Sequence, residues 1–108
     1  MIEPGGRAGP FVIEADDPCL DGHFPGNPLI PGVVVLDLAA RALDGMHGAP
    51  VEIRGITQVK FASPLRPGEP LIIEFQVQAH AHTASFRCAC GGRLIAEGVF
   101  VFAGAPGR

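Results

Sequence analysis

Two side chains near the start of this sequence have the chemistry of a base and an acid. His23 lies in the segment GHFPGNPLIPG, and Asp37 lies in the run VVVLDLAARALDGM that follows it. An imidazole, with a reference pKa of ~6.5, can act as a neutral base at pH 7 and remove a weakly acidic proton from carbon. A carboxyl group in apolar surroundings holds a proton that it can deliver to a poor leaving group such as a hydroxyl.

Both residues also allow simpler interpretations. The sequence has four histidines, and the residue type alone does not indicate that one of them is catalytic, so His23 could be an ordinary loop residue. Asp37 and Arg41 are one helical turn apart and could form a surface ion pair. The residue types alone leave both alternatives open.

The segments that carry these residues predict a loop followed by one helix. Three prolines in residues 22–32 fix φ and remove N–H donors, which predicts an ordered loop. Residues 33–46 are apolar on nearly all sides and predict a single enclosed helix. The N–H of Gly32, at the positive end of this helix, would be free to stabilise a developing oxyanion.

The rest of the chain predicts strands separated by turn residues. A leader at residues 1–9, predicted to be flexible, precedes predicted strands at 11–14, 51–61, 71–79, 84–90 and 94–102. One helix and a meander of strands predict an α+β fold in which an antiparallel sheet curls around a long central helix, within a single domain 1–108. The sheet edges favour a homodimer or a higher homo-oligomer.

Composition argues against several classes of partner. The net charge is −3, with no basic stripe for nucleic acid, and no apolar run approaches the about 20 residues of a membrane span. Cysteines at 19, 88 and 90 are an odd number, which favours reduced thiols and a cytoplasmic location. No metal site is predicted for His80, His82, Cys88 and Cys90, because His82 and Cys88 would lie about 20 Å apart on one strand, at ~3.3 Å per residue.

The segment from His23 to Asp37, HFPGNPLIPGVVVLD, strongly resembles the active-site segment of the β-hydroxyacyl-acyl-carrier-protein dehydratases of fatty acid synthesis, the hotdog-fold FabA/FabZ family. The similarity continues through GITQVKFASPLRPGE and the closing RLIAEGVFVF. The resemblance implies a dimer whose active sites take residues from both subunits, with His23 and Asp37 as the catalytic pair. It implies conversion of a 3-hydroxyacyl thioester, on acyl carrier protein or coenzyme A, to the trans-2-enoyl thioester, without a metal or a redox cofactor.

The same resemblance places the substrate beside Phe24, Pro31, Gly32, Val33 and Arg41. Arg41 departs from the family, which usually has glutamine there, and an arginine could hold the catalytic carboxylate ionised and weaken it as an acid. Two alternatives therefore stand beside the dehydratase. One is a hotdog thioesterase that directs water at the thioester carbonyl, and the other is a catalytically impaired subunit that binds acyl carrier protein.

Overall fold

The computed structural model of the protein describes residues 5–14, 29–47 and 52–103. Within these ranges the chain forms one α-helix and five strands. In chain order they are β1 (Gly5–Phe11), α1 (Gly32–His47), β2 (Ile53–Phe61), β3 (Leu71–Gln78), β4 (Thr83–Cys90) and β5 (Arg93–Phe102), with a short 3₁₀ turn at Ala79–Ala81. The predicted helix and the four later strands are therefore confirmed, with small changes at their ends.

The five strands form one antiparallel sheet in the order β1-β3-β4-β5-β2. Alternate residues of β3 are buried, as the sequence pattern predicts, and they are Leu71, Ile73, Phe75 and Val77. Gly91 and Gly92 have φ values of 56° and 81° and join β4 to β5 in a tight turn that requires positive φ. β5 lies between β4 and β2 and is apolar on both faces, as expected for a central strand.

Helix α1 packs against the inner face of the sheet through one stripe of side chains. Val35, Ala39 and Leu43 recur every four residues, so they share one face, and all three are buried. They join a core that includes buried side chains of β3, β4 and β5. Cys88 is fully buried in this core as a free thiol.

The start of the sheet differs from the prediction. β1 begins at Gly5 and pairs with β3, so residues 5–9 are not the flexible leader that their composition suggested. Residues 12–14, which were predicted as part of the first strand, lie beyond its end. The physical reason is that β1 is an edge strand, where glycine and proline are tolerated because one side of the backbone makes no ladder hydrogen bonds.

β2 forms the opposite edge of the sheet and carries large apolar side chains that are exposed. Ile56, Val59 and Phe61 all belong to this group. A bulge between Thr57 and Lys60 interrupts its pairing with β5, and Gln58 in the bulge has a φ of 55°. No helix in residues 5–14, 29–47 or 52–103 has the length and apolar character needed to cross a bilayer.

Candidate active site

The start of helix α1 is the part of the predicted site that the structure describes best. The N–H groups of Val34 and Val35 donate to the carbonyl of Pro31, at 3.0 and 3.4 Å. Within the described part of the chain, the N–H groups of Gly32 and Val33 have no such acceptor. Because the positive end of the helix dipole lies here, these two N–H groups are suited to bind an oxyanion.

A pocket of about 660 Å³ opens beside these donors. Its walls are largely apolar and include Ile30, Gly32, Val33, Leu36, Phe61, Leu65 and Ile95. Val33 at its mouth is 71% exposed in the single chain. The pocket combines apolar walls with a few convergent polar groups, which is the usual character of a small-molecule site.

Phe61 is a residue of this pocket that the sequence analysis did not identify. Its ring lies directly against Gly32, where an added Cβ would be 2.7 Å from Cε1 of the ring. The motif GITQVKFASPLRPGE contains Phe61, but nothing in the motif itself shows that this side chain meets the helix start. Only glycine at position 32 allows the ring and the helix backbone to approach so closely.

Asp37 and Arg41 form an ion pair on the same helix. Arg41 Nε lies 2.9 Å from Asp37 Oδ2, and the Asp37 side chain is 54% exposed. The expectation that Asp37 is enclosed is therefore wrong for the single chain, because Asp37 lies on the side of α1 that the sheet does not cover. The surface ion pair, left open as an alternative, is present.

Asp37 does not approach the donors of its own chain. Five residues of α-helix correspond to a rise of ~7.5 Å and a rotation of about 140°, so Gly32 and Asp37 face in different directions. Asp37 is not among the residues that line the 660 Å³ pocket. Arg41 borders a separate apolar hollow of about 430 Å³ between α1 and β1. Gly32 and Val33 thus line the pocket and Pro31 accepts hydrogen bonds at the helix start, while Asp37 and Arg41 lie elsewhere on the helix.

His23 and Phe24, the other two predicted site residues, lie outside the described residues. No three histidine, cysteine, aspartate or glutamate side chains in the described ranges come together as a metal site. Roles at the level of single residues accordingly stay predictions.

Comparison with known proteins assigns the family. A model of the ApeI-like family, described as ApeI dehydratase, matches residues 8–99. The chain belongs to this family. Two curated relatives carry the name 3-hydroxyacyl-[acyl-carrier-protein] dehydratase FabZ. The one from Chloroflexus aggregans is 39% identical over 71% of this chain, and the one from Thermomicrobium roseum is 37% identical over 94% of it.

This ApeI-like chain spans 59% of the length of the Chloroflexus relative and 76% of the Thermomicrobium one. Among solved structures it is similar to the dehydratase heterocomplex ApeI:P from Xenorhabdus doucetiae, with a TM-score of 0.81 at 23% identity, covering 92% of this chain and 87% of that chain. The likeness confirms the predicted hotdog fold. The family assignment and the named relatives confirm the resemblance to 3-hydroxyacyl thioester dehydratases and do not favour a thioesterase.

Proposed function

We propose that this ApeI-like protein removes water from a 3-hydroxyacyl thioester carried on acyl carrier protein and releases the trans-2-enoyl thioester. The observation that supports this most directly is that Gly32 and Val33, whose N–H groups have no acceptor among the described residues, both line the apolar pocket beside the helix start. A thioester oxygen bound there would gain negative charge as the C2 proton leaves. The pocket walls offer an apolar surface to the acyl chain.

The proposed reaction needs three groups. His23 takes the C2 proton, and the electron pair of that bond moves towards the thioester carbonyl, whose oxygen is stabilised by the N–H of Gly32. Asp37 gives a proton to the C3 hydroxyl, the C3–O bond breaks, and water leaves as the C2–C3 double bond forms. The proton held by His23 must then return to Asp37, through solvent, before the next turnover.

Two copies of the chain are proposed to form each site. Because Gly32 and Asp37 of one chain face in different directions, a single chain cannot present both to one substrate. The exposed apolar row of Ile56, Val59 and Phe61 on edge strand β2, next to the exposed Val33, is a surface that a second copy would cover. In this homodimer, each site combines His23 and the helix start of one chain with the Asp37 carboxyl group of the other.

Mixing of inactive variants tests the shared site. We expect His23→Ala and Asp37→Asn each to abolish dehydration of a 3-hydroxyacyl carrier-protein substrate. After unfolding and refolding together in equal amounts, half of the dimers are mixed, and each mixed dimer holds one site with both intact groups, so about a quarter of the parental activity should return. If the mixture stays as inactive as its components while light scattering shows dimers, the shared site is wrong. If either single variant keeps parental activity, its catalytic assignment is wrong.

The Asp37–Arg41 ion pair favours one second candidate, a catalytically impaired subunit that binds acyl carrier protein. Arg41 Nε lies 2.9 Å from Asp37 Oδ2, so the carboxyl group that the dehydratase needs as its acid is already engaged by a side chain of the same helix. Comparison of the parent with Arg41→Gln distinguishes the two functions. An active parent, with Arg41→Gln within about tenfold of it, supports the dehydratase, while an inactive parent that Arg41→Gln activates supports the impaired subunit.

The same assay distinguishes a thioesterase from a dehydratase, and acyl carrier protein from coenzyme A as the carrier of the substrate. Free thiol released from a saturated acyl thioester would identify the thioesterase, and equal rates with carrier-protein and coenzyme A substrates would argue against carrier specificity. We also propose a cytoplasmic location, which the free thiols of Cys88 and Cys90 favour because such thiols persist in a reducing compartment.

A further inference from the structure

The connection between β2 and β3, residues 62–70, contains a turn that is closed by both backbone and side chain. The N–H of Glu69 donates to the carbonyl of Arg66 at 3.2 Å, and the N–H of Arg66 donates to Glu69 Oε1 at 2.8 Å. Pro67 and Gly68 are the central residues, and Gly68 has a φ of 86°, which is the pattern of a type II turn. Glu69 therefore closes the turn with two hydrogen bonds, one from its main-chain N–H and one to its carboxylate.

An ion pair attaches this turn to the sheet. Nη2 of Arg93, at the first position of β5, lies 3.0 Å from each carboxylate oxygen of Glu69. The hydrogen bond from Arg66 N–H, together with the Arg93 guanidinium, holds the pKa of Glu69 below its usual range. Arg93 itself follows the Gly91–Gly92 turn and pairs with Cys90 on β4, so its backbone is held in the β4–β5 hairpin.

The same connection holds the chain at two places that flank the predicted base. The N–H of Gly68 donates to the carbonyl of Ile13, and the N–H of Ile30 donates to the carbonyl of Leu65, both at 2.8 Å. Ile30 and Leu65 are also buried together in the core. The connection thus holds the chain at Ile13, through Gly68 of the turn, and at Ile30, through Leu65 just before the turn.

We propose that Glu69 and Arg93 are positioning residues for the dehydration proposed above, on which this inference rests. Their ion pair fixes the turn, and the residue just before the turn, Leu65, holds Ile30 and also lines the 660 Å³ pocket. Ile30 lies two residues before Gly32. Oxyanion donors must be placed closely against the oxygen that gains charge, and small displacements lower the rate steeply. The ion pair thereby sets the position of the pocket wall relative to the oxyanion donors at the start of helix α1.

The position of this ion pair makes a purely structural role separable from a positioning role. Both side chains are partly exposed, and ion pairs of this kind contribute little to global stability. Loss of the pair should therefore lower turnover without unfolding the protein. A second ion pair, between Arg54 and Glu52 at 3.6 Å, is exposed and does not contact the turn, which makes it a matched control.

The experiment compares Glu69→Gln, Arg93→Gln and the double variant with the control Glu52→Gln. In each of the first three we expect kcat to fall about 10- to 100-fold with KM changed less than threefold, and with the thermal midpoint near that of the parent. The double variant should be no worse than the more affected single variant, because the two residues act through one contact. Glu52→Gln should keep the parental kcat.

A second background shows whether the effect passes through the start of helix α1. In Gly32→Ala, an added methyl group obstructs the same donors, so Glu69→Gln should lower the remaining rate by a smaller factor than it lowers the parental rate. An equal fall in rate in that background would overturn the inference. So would parental kcat in Glu69→Gln and Arg93→Gln, or a fall in kcat that is explained by partial unfolding at the assay temperature. Failure of the proposed function looks different, because His23→Ala alone would then retain parental activity.

Discussion

The close contact between Gly32 and the Phe61 ring predicts a large effect of adding one methyl group. A Cβ at position 32 would lie 2.7 to 3.2 Å from three carbons of the ring, so either the ring or the start of the helix has to move. Phe61 is 55% exposed and can move outwards. In Gly32→Ala, the new methyl group and the displaced ring would then occupy the approach to the oxyanion donors.

The expected changes in stability and in activity differ in size. Replacing glycine by alanine in a helix gains about 0.4–1 kcal/mol by restricting the unfolded chain, and moving an exposed ring offsets part of this gain. The net change in the free energy of unfolding should thus stay within about 1 kcal/mol. Losing access to one oxyanion donor typically lowers kcat about 10²- to 10³-fold, and we expect kcat/KM to fall by about 100-fold.

Gly45→Ala provides the matched control on the same helix. A Cβ at Gly45 would meet no heavy atom within 4 Å. This variant should therefore be more stable by about 0.5–1 kcal/mol, with a correspondingly higher thermal midpoint, and should keep parental kcat/KM. The measurements are steady-state dehydration of a 3-hydroxyacyl carrier-protein substrate and thermal unfolding. A Gly32→Ala variant with kcat/KM within about threefold of the parent would refute the assignment of the donors to the helix start.

Three other predictions follow from buried or paired groups. In Gly98→Ala, the Cβ would lie 2.8 Å from Cζ of Phe86, which is buried and cannot move aside, so urea unfolding should show a loss of about 1–3 kcal/mol. Burial raises the pKa of Cys88 to about 12, so in a variant whose other two cysteines are serine, this thiol should resist a disulfide reagent at pH 8 and react fully in urea; reaction at the same rate in both would contradict its burial. The pKa of Glu69 is lowered in the folded state, so its contribution to stability is present above its unfolded pKa and is lost as the pH falls through the folded value. The acid-induced loss of stability should accordingly be smaller in Glu69→Gln than in the parent.

The sequence predicts those parts of the fold whose pattern reflects burial. β3 alternates because one of its faces meets the core, and α1 repeats every four residues because Val35, Ala39 and Leu43 meet the same sheet. The sequence does not predict β1 because three glycines and a proline within seven residues are normally evidence against a strand. Pairing with β3 along one edge stabilises it in spite of that composition.

The candidate site was predictable at its helix start and less so around it. Pro31, followed by a long apolar run, predicts free N–H donors at Gly32. The Phe61 contact and the bulge at Gln58 depend on the register between β2 and β5. These strands are far apart in the chain, so their register cannot be read from the sequence. The exposure of Asp37 was missed because hydrophobic periodicity describes a helix as a whole and does not show which sides a single copy of the sheet leaves uncovered.

The attachment of Ile13 and Ile30 to the connection between β2 and β3 has a consequence for engineering. Gly68 and Leu65 hold these two residues, and neither contact depends on how many residues separate Ile13 from Ile30 in the sequence. For chain loops in general, doubling the length raises the entropic cost of closure by only about 0.6 kcal/mol. The stretch between these two anchors is therefore a natural unit of exchange, which can be replaced by the corresponding stretch of a relative of different length while the rest of the chain is kept.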